Sequence, residues 1–204
     1  MKQSAKDDQQ SRASGRPRSE RAHQAILQAA NELLEKEGFA AVTVEAIAER
    51  AGVSKATIYR WWPNKAAVVM DSFLSMVSSE VPFPHTGHAG EDLRLHMRML
   101  AEAFGGKMGR TVAALIAEGQ ADPELAEALR SRWLSVRRTE AKEILELGIE
   151  RGELREDLDP EVAVDVLYGP IYYRMLVGHA PLDNDFTDAL SDHIFAGLVA
   201  RDPA

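Results

Sequence analysis

Apolar residues in this chain recur at steps of three and four positions, and no convincing run alternates apolar with polar residues. That period places apolar side chains on one face of an α-helix, whereas a half-buried strand needs a period of two. Eight of the nine prolines fall where one helix would end or the next begin, because proline lacks the N–H that a helix interior requires. Pro170, inside a predicted helix, is expected to kink it. The pattern predicts an all-α fold.

The chain contains no segment that would place it in or across a membrane. No stretch approaches the roughly eighteen uninterrupted apolar residues of a spanning helix. The first twenty residues are polar and lack the apolar core of a secretory signal. There is no cysteine, which excludes disulfides, thiolate metal sites and a cysteine nucleophile. We therefore expect a cytoplasmic protein without a membrane partner.

The formal charge is distributed unevenly along the chain. Residues 1–65 hold 11 Lys and Arg against 8 Asp and Glu, whereas residues 66–204 hold 13 against 24, for a net charge of −8. Lysine and arginine density drives sequence-independent affinity for nucleic acid. The split favours an N-terminal part that contacts phosphate and an acidic remainder that does not.

Helix-start signals divide the chain into three parts. Residues 1–18 are polar and basic, which predicts a flexible tail. Residues 19–66 form the first folded domain, and residues 67–204 form the second. The proline- and glycine-rich residues 81–90 predict a linker, beyond which five helices follow. Four polar residues cap the helices before this linker, namely Ser19, Thr43, Ser54 and Asn64.

Residues 43–62, TVEAIAERAGVSKATIYRWW, predict two helices separated by a tight turn at Gly52. Glycine supplies the left-handed backbone that a Cβ would resist. Ala48 is small where the two helices would cross, and Ile58 is the only obvious core residue of the second helix. This spacing is typical of a helix-turn-helix, although an ordinary αα-hairpin with a solvated polar face is the alternative.

The sequence around this motif resembles the TetR family of repressors over about residues 19–70. The first helix ends in KEGF, the second begins TVEAIA, and the third runs into YRWWPNKAAVV. Two positions depart from the family pattern: Ala66 stands where many members carry Glu, and Trp61-Trp62 replaces a pair of His-Phe type. The resemblance implies a three-helix helix-turn-helix DNA-binding domain followed by a helical ligand-binding and dimerisation domain.

The resemblance also implies which residues meet the bases of double-stranded operator DNA. Lys55, Ala56 and Thr57 would enter the major groove, where Lys donates to guanine and a methyl group meets the thymine methyl. Those three residues would set the sequence preference. Trp61 is added to the predicted DNA surface, because its departure from the family pattern would alter what is read in the groove.

A second set of residues matches positions that contact the phosphate backbone. Tyr59, Lys65 and Thr43 belong to it, Thr43 through a helix N-terminus that favours anions. Trp62 matches a buried aromatic position and is assigned to the core. The basic tail would reach the minor groove or serve only solubility, and the sequence leaves both open.

The second domain carries large, adaptable or amphipathic side chains of the kind that surround apolar ligands with one or two polar handles. Ordinary core packing is the alternative for each. The residues predicted to line a cavity for a small-molecule effector are Met97, Phe104, Met108, Trp133, Tyr168, Tyr172 and Met175. The resemblance further implies a homodimer that pairs the last two helices. The stripe that fits this use is Phe186, Leu190, Ile194 and Leu198.

Other chemistry finds little support in the sequence. Residues 105–111, GGKMGRT, lack the order of a phosphate-binding loop and follow no strand. His85 and His88 stand in a loop without carboxylates, which makes a poor metal site. We therefore expect no enzyme, no cofactor and no metal. The hypothesis is a transcriptional repressor that an effector releases from DNA; the alternative is a helical adaptor that retains the helix-turn-helix without an effector.

Overall fold

The computed structural model describes residues 4–77 and 81–198, and every regular element in these ranges is a helix. The chain forms two compact units, Met1–Ser75 and Met76–Ala204, here named the head and the body. The all-α prediction is confirmed. Within the described ranges, no helix combines the length and the apolar character that crossing a bilayer demands.

The head contains four α-helices and a single 3₁₀ turn within its described residues. These are α1 (Ser4–Glu37), the 3₁₀ turn Phe39–Ala41, α2 (Val44–Ala51), α3 (Lys55–Tyr59) and α4 (Lys65–Val77). Ile26 of α1, Ile47 of α2 and Ile58 of α3 are completely buried. They belong to the apolar core in which α2 packs against α1 and α3 packs against α2.

The first helix begins earlier than the sequence pattern predicts. It starts at Ser4, whereas the capping signal indicated Ser19 and a flexible tail up to residue 18. Residues 4–16 are rich in Ala, Lys, Gln and Arg, which extend a helix without needing a core to pack against. Helix therefore replaces the predicted tail from Ser4 onward, and residues 1–3 lie outside the described range.

The boundary of the head also lies later than the predicted one at residues 66 and 67. The reason is that the first turns of α4 pack inside the head. Val68 and Phe73 are completely buried, and the hydroxyl of Ser72 donates to the carbonyl of Leu27 on α1 at 2.8 Å. The α4 helix therefore starts as a head element and continues past Ser75 into the body.

The body consists of six α-helices within its described residues. They are α5 (Ala89–Gly105), α6 (Lys107–Gly119), α7 (Pro123–Leu129), α8 (Ser135–Glu150), α9 (Pro160–Val177) and α10 (Asn184–Leu198). A π-helical turn, Arg130–Leu134, joins α7 to α8. The side chains of Asp122 and Asp159 accept backbone N–H bonds at the starts of α7 and α9, where Pro123 and Pro160 follow them as expected.

The glycine-rich residues 105–109 have a packing role. A Cβ on Gly109 would overlap the carbonyl of Phe104 at the end of α5. Glycine therefore lets the first turn of α6 lie against the backbone of α5. This close packing accounts for the glycine at position 109.

Residues 81–88, here named the strap, are held against the body rather than forming a free linker. The Thr86 N–H donates to Asp92 at 2.7 Å, and Arg151 donates to the carbonyl of Gly87 at 2.8 Å. Directly after the strap, the Ala89 N–H donates to Glu153 at 2.8 Å. Asp92 is buried, so the bond from Thr86 also satisfies a carboxylate that water does not reach.

Candidate functional sites

Local capping bonds fix the geometry of α2 and α3. The Thr43 hydroxyl accepts a bond from the Ala46 N–H at 3.0 Å, and the Ser54 hydroxyl accepts one from the Thr57 N–H at 3.2 Å. Between the two helices Gly52 adopts a left-handed conformation with φ of 66°. Both caps and the turn agree with the residue types at these positions. The helix-turn-helix is therefore present as predicted.

The short helix α3 presents most of its side chains to solvent. Ile58 is buried, whereas Lys55 and Ala56 are exposed and the Tyr59 ring is 54% exposed. Thr57 is half-buried, and its hydroxyl lies 3.0 Å from that of Ser54. An exposed face of this composition is unusual for a helix that serves packing alone. Contact of these residues with DNA remains a prediction.

Lys55 forms an ion pair with Glu45 across the two helices. The Lys55 Nζ lies 2.8 Å from a Glu45 carboxylate oxygen, and both side chains are more than half exposed. This hydrogen bond raises the pKa of Lys55 and lowers the pKa of Glu45, and their opposite charges act in the same directions. Lys55 is thus a charged donor that is already hydrogen-bonded to the Glu45 carboxylate.

Aromatic rings surround the end of α3. Trp62 is buried and donates its Nε1–H to Asp71, which confirms its assignment to the core. The Trp61 ring is half-buried, lies edge-on to Trp62 with centroids 5.6 Å apart, and carries the Arg60 guanidinium 4.8 Å from its centroid. At the start of α4, the Lys65 Nζ lies 4.1 Å from the centre of the Phe39 ring.

The body contains an apolar cavity of about 450 Å³. This volume lies within the range of about 300 to 1,000 Å³ typical of small-molecule sites. Its wall combines the strap with α5, α6, the end of α7, the π-helical turn, α8 and α9. The residues that form most of its apolar and aromatic surface are Val81, Phe83, Leu100, Val112, Ile116, Leu129, Trp133, Val164, Tyr168 and Tyr172.

Three of the seven residues predicted to contact a ligand line this cavity, namely Trp133, Tyr168 and Tyr172. The other four do not belong to its wall. Met97 is fully buried beside the Ser191 hydroxyl, and Phe104 packs edge-on against Tyr172. Met108 is buried and Met175 half-buried. Ligand contact by any of the seven stays a prediction.

A hydrogen-bonded His–Tyr pair lies in the cavity wall. His96 Nδ1 is 2.9 Å from the Tyr168 hydroxyl, and the His96 ring stacks on Phe83 of the strap with centroids 3.6 Å apart. Burial, with a smaller contribution from the charge of Arg137, lowers the pKa of His96 to about 3. Burial also raises the pKa of Tyr168. Both side chains are therefore uncharged at neutral pH.

A second polar pair lies beside the first. The Trp133 Nε1–H donates to the Tyr172 hydroxyl at 3.4 Å. Burial raises the pKa of Tyr172, so its hydroxyl keeps its proton and can donate in turn. The Arg137 guanidinium carbon lies 5.2 Å from the Trp133 ring centre and 6.0 Å from that of Phe83. The cavity therefore offers hydrogen-bond donors on a predominantly aromatic wall.

A capped helix-turn-helix in one unit and an apolar cavity in a second helical unit are the features of a ligand-responsive transcriptional regulator. The family "Bacterial regulatory proteins, tetR family" matches residues 26–70, and "Tetracyclin repressor-like, C-terminal domain" matches residues 83–194. The chain belongs to the TetR family of bacterial transcriptional regulators. The predicted family and the two-part fold are both confirmed.

Relatives agree with this assignment along most of the chain. YdeS of Bacillus subtilis, an uncharacterized HTH-type transcriptional regulator, is 50% identical over 186 residues, covering 91% of this chain and 94% of YdeS. The DNA-binding transcriptional repressor TetR of Mycobacteroides abscessus is 28% identical over 89% of this chain and 96% of its own length. The crystal structure of the TetR family transcription regulator SCO0332 is similar with a TM-score of 0.74 and 36% identity, covering 89% and 99% of the two chains.

Proposed function

We propose that the protein is a cytoplasmic homodimeric repressor that binds a two-fold operator through α2 and α3 and dissociates when a small molecule occupies the body cavity. The observation that carries the proposal is the combination, in one chain, of an exposed recognition helix with an apolar cavity that contains a few polar groups. The relative named as a repressor supports the direction of control.

In the head, the proposal assigns different tasks to different exposed residues. Lys55, Ala56 and Thr57 read base edges from α3, because a helix in the major groove presents its first turn to the bases. Thr43, Tyr59 and Lys65 contact phosphates, which fixes register and affinity. Trp61 lies beside α3 and adds an aromatic edge to the same face.

The dimer surface is assigned to α9, where apolar side chains point both inward and outward. Ala163, Leu167 and Ile171 are buried, yet the opposite side of the same helix carries five large exposed apolar residues. These are Val162, Val166, Tyr173, Leu176 and Val177. An exposed stripe of this length marks an interaction site, and a two-fold pairing would bury it against its own copy. On α10, Leu190 and Ile194 are half-buried and would extend the stripe.

A ligand in the cavity would contact the strap and displace it. Val81 and Phe83 line the cavity and follow closely in the chain on Val77, where α4 ends. The α4 helix starts beside the recognition helix at Lys65, so one short stretch of chain connects cavity wall to head. A two-fold dimer reads successive major grooves only while its recognition helices lie about 34 Å or a multiple apart. A small displacement of α4 would spoil that spacing.

The test starts with the promoter region beside the protein's own gene, labelled for fluorescence anisotropy. A thermal-shift screen of small molecules identifies a ligand, because a ligand that prefers the folded state raises the melting temperature. That ligand is then titrated into free protein and into the DNA complex. We expect weaker binding to the complex, by the same factor by which the ligand weakens DNA binding. Equal ligand affinity in both states would refute effector release and favour an adaptor without an effector.

A further inference from the structure

The ionic side chains in the cavity wall are unbalanced toward positive charge. Three are guanidinium groups, on Arg130, Arg137 and Arg138, and one is the carboxylate of Asp165. Arg138 is compensated twice, by Asp165 and by Glu161 at 2.6 Å. Arg130 pairs with Glu127 at 2.9 Å, and its side chain is 62% exposed. Arg137 is therefore the guanidinium whose charge bears most directly on the cavity.

Arg137 has the features of an anion-binding residue, because its ion pair with Glu140 uses only part of its N–H donors. Its side chain is only 20% exposed and lies against the Trp133 and Phe83 rings. One of its N–H groups donates to Glu140 at 3.1 Å, and Glu140 is not part of the cavity wall. A guanidinium carries five donors, and no second carboxylate pairs with Arg137 among the described residues. The N–H donors of a guanidinium lie in one plane, and two of them can bind the two oxygens of a carboxylate at once.

The other residues of the cavity wall indicate the chemistry of the part of the ligand that does not bind Arg137. His96, Tyr168 and Tyr172 are uncharged at neutral pH, so they add no charge that would attract or repel an anion. Trp133 and Tyr172 place two aromatic rings in the same wall as Arg137, and aromatic surfaces favour flat ring systems in offset or edge-on contact. The volume of about 450 Å³ is sufficient for a molecule of two or three fused rings, and the aromatic lining favours such rings over an acyl chain.

We propose that the body cavity binds a small aromatic carboxylic acid as its monoanion, with the carboxylate on Arg137 and the ring system against Trp133 and Tyr172. This assignment rests on the proposed function only in treating the molecule as the effector; the binding itself concerns the cavity alone. Arg137 acts as the residue that selects for the acid, and the aromatic wall supplies affinity independent of charge.

The experiment compares three probes of nearly equal shape on the full-length protein: 2-naphthoate, 2-naphthamide and 2-naphthylmethylammonium. Isothermal titration calorimetry gives each dissociation constant. We expect naphthoate to bind at least about tenfold more tightly than the amide, and the ammonium more weakly than either. Equal binding of acid and amide, or no heat from naphthoate up to its solubility, would overturn the assignment.

Two variants test the role of Arg137 from opposite directions. Arg137→Met should bring the acid and the amide to nearly the same affinity, while the amide itself changes little. Glu140→Gln removes the carboxylate that competes for Arg137 and should tighten naphthoate binding about threefold without affecting the amide. Loss of acid and amide binding in parallel in Arg137→Met, with no effect of Glu140→Gln, would assign Arg137 to packing alone.

Arg98 provides the matched control. It pairs with Asp188 at 2.6 Å, much as Arg137 pairs with Glu140, but it lies outside the cavity wall. Arg98→Met should leave all three dissociation constants unchanged; a loss equal to that of Arg137→Met would show a general effect of charge and overturn the proposal.

Adding naphthoate to the DNA complex distinguishes acid binding in the cavity from release of DNA by the bound molecule. Acid-selective binding without release supports the cavity assignment and refutes effector release.

Discussion

The head and the body hold their functional residues in opposite ways. In the head, the residues assigned to DNA lie between Thr43 and Lys65, mostly exposed, on short helices fixed by local caps. In the body, the cavity gathers side chains from the strap, five helices and the π-helical turn, and its central polar pairs are uncharged at neutral pH. The head thus depends on surface charge, whereas the body depends on uncharged polar groups in an apolar wall. Each region should fail differently when it is altered.

The largest effect is expected on the outer face of α9, the part of the body proposed to meet a second copy. Val166→Glu together with Tyr173→Glu would place four unpaired carboxylates in a two-fold interface, at a cost of several kcal/mol. We expect monomers in analytical ultracentrifugation and loss of operator binding, because one head alone makes half the contacts. Val136→Glu on α8, where Val136 is 50% exposed, is the matched control and should remain dimeric. Dimers in both variants would move the interface elsewhere.

The next effect separates base reading from phosphate contact within the head. Lys55→Met and Thr57→Val should each weaken operator binding by roughly 1 to 3 kcal/mol and random-DNA binding only slightly. Tyr59→Phe and Lys65→Ala should weaken both to a similar extent, and Lys65→Ala should flatten the salt dependence by about one unit. Anisotropy with operator and scrambled duplexes measures both. If all four variants behave alike, the division of roles within the head is incorrect.

The same contrast explains what the sequence could predict. Thr43, Gly52 and Ser54 act within a few positions along the chain, so their residue types alone indicated the caps and the turn of the head. The cavity depends on distant pairs: His96 and Tyr168 are 72 positions apart. Residue type identified Trp133, Tyr168 and Tyr172, but no local pattern distinguishes a large residue facing a cavity from one in the solid core.

Three residues of the cavity were missed for particular reasons. Phe83 stands among prolines and glycines, which predicted a linker although hydrogen bonds hold this strap against the body. His96 was missed because a single histidine on a helix gives no local sign that it faces a cavity. Arg137 follows Trp133 by one helical turn and therefore shares its face, so the predicted position of Trp133 contained the signal that could have found it.

A smaller effect is expected in the pH dependence of stability, which tests whether His96 in the body is held uncharged. Because the pKa of His96 is near 3 in the folded protein and 6.5 is its ordinary value, only the unfolded chain takes up a proton between these values. The contribution of neutral His96 to the free energy of unfolding is complete above the ordinary pKa. It decreases as the pH falls toward the pKa of His96 in the folded protein. Lowering the pH from about 6.5 to about 5.5 should cost about 1 kcal/mol through this residue.

The variant His96→Gln isolates that contribution. Glutamine does not titrate and still offers a hydrogen bond to Tyr168, whereas Arg137, the charged neighbour that further lowers the His96 pKa, is unchanged. Urea denaturation at both pH values should show that the wild type loses more stability than the variant. An equal loss in wild type and His96→Gln would mean that His96 is not held uncharged.

The smallest expected effect lies in the Lys55–Glu45 pair, where the head most clearly differs from the body. The pair is exposed, so its removal should leave the melting temperature nearly unchanged. Glu45→Gln frees Lys55 and removes a carboxylate that repels phosphate, so affinity for operator and random DNA should rise together by about threefold. Glu49→Gln, also exposed on α2 but in no described ion pair, should change affinity less. If Glu45→Gln instead weakens operator binding alone, Glu45 positions Lys55 for the groove. The recognition surface would then be preorganised in the same sense as the cavity, and the contrast between head and body would be one of burial only.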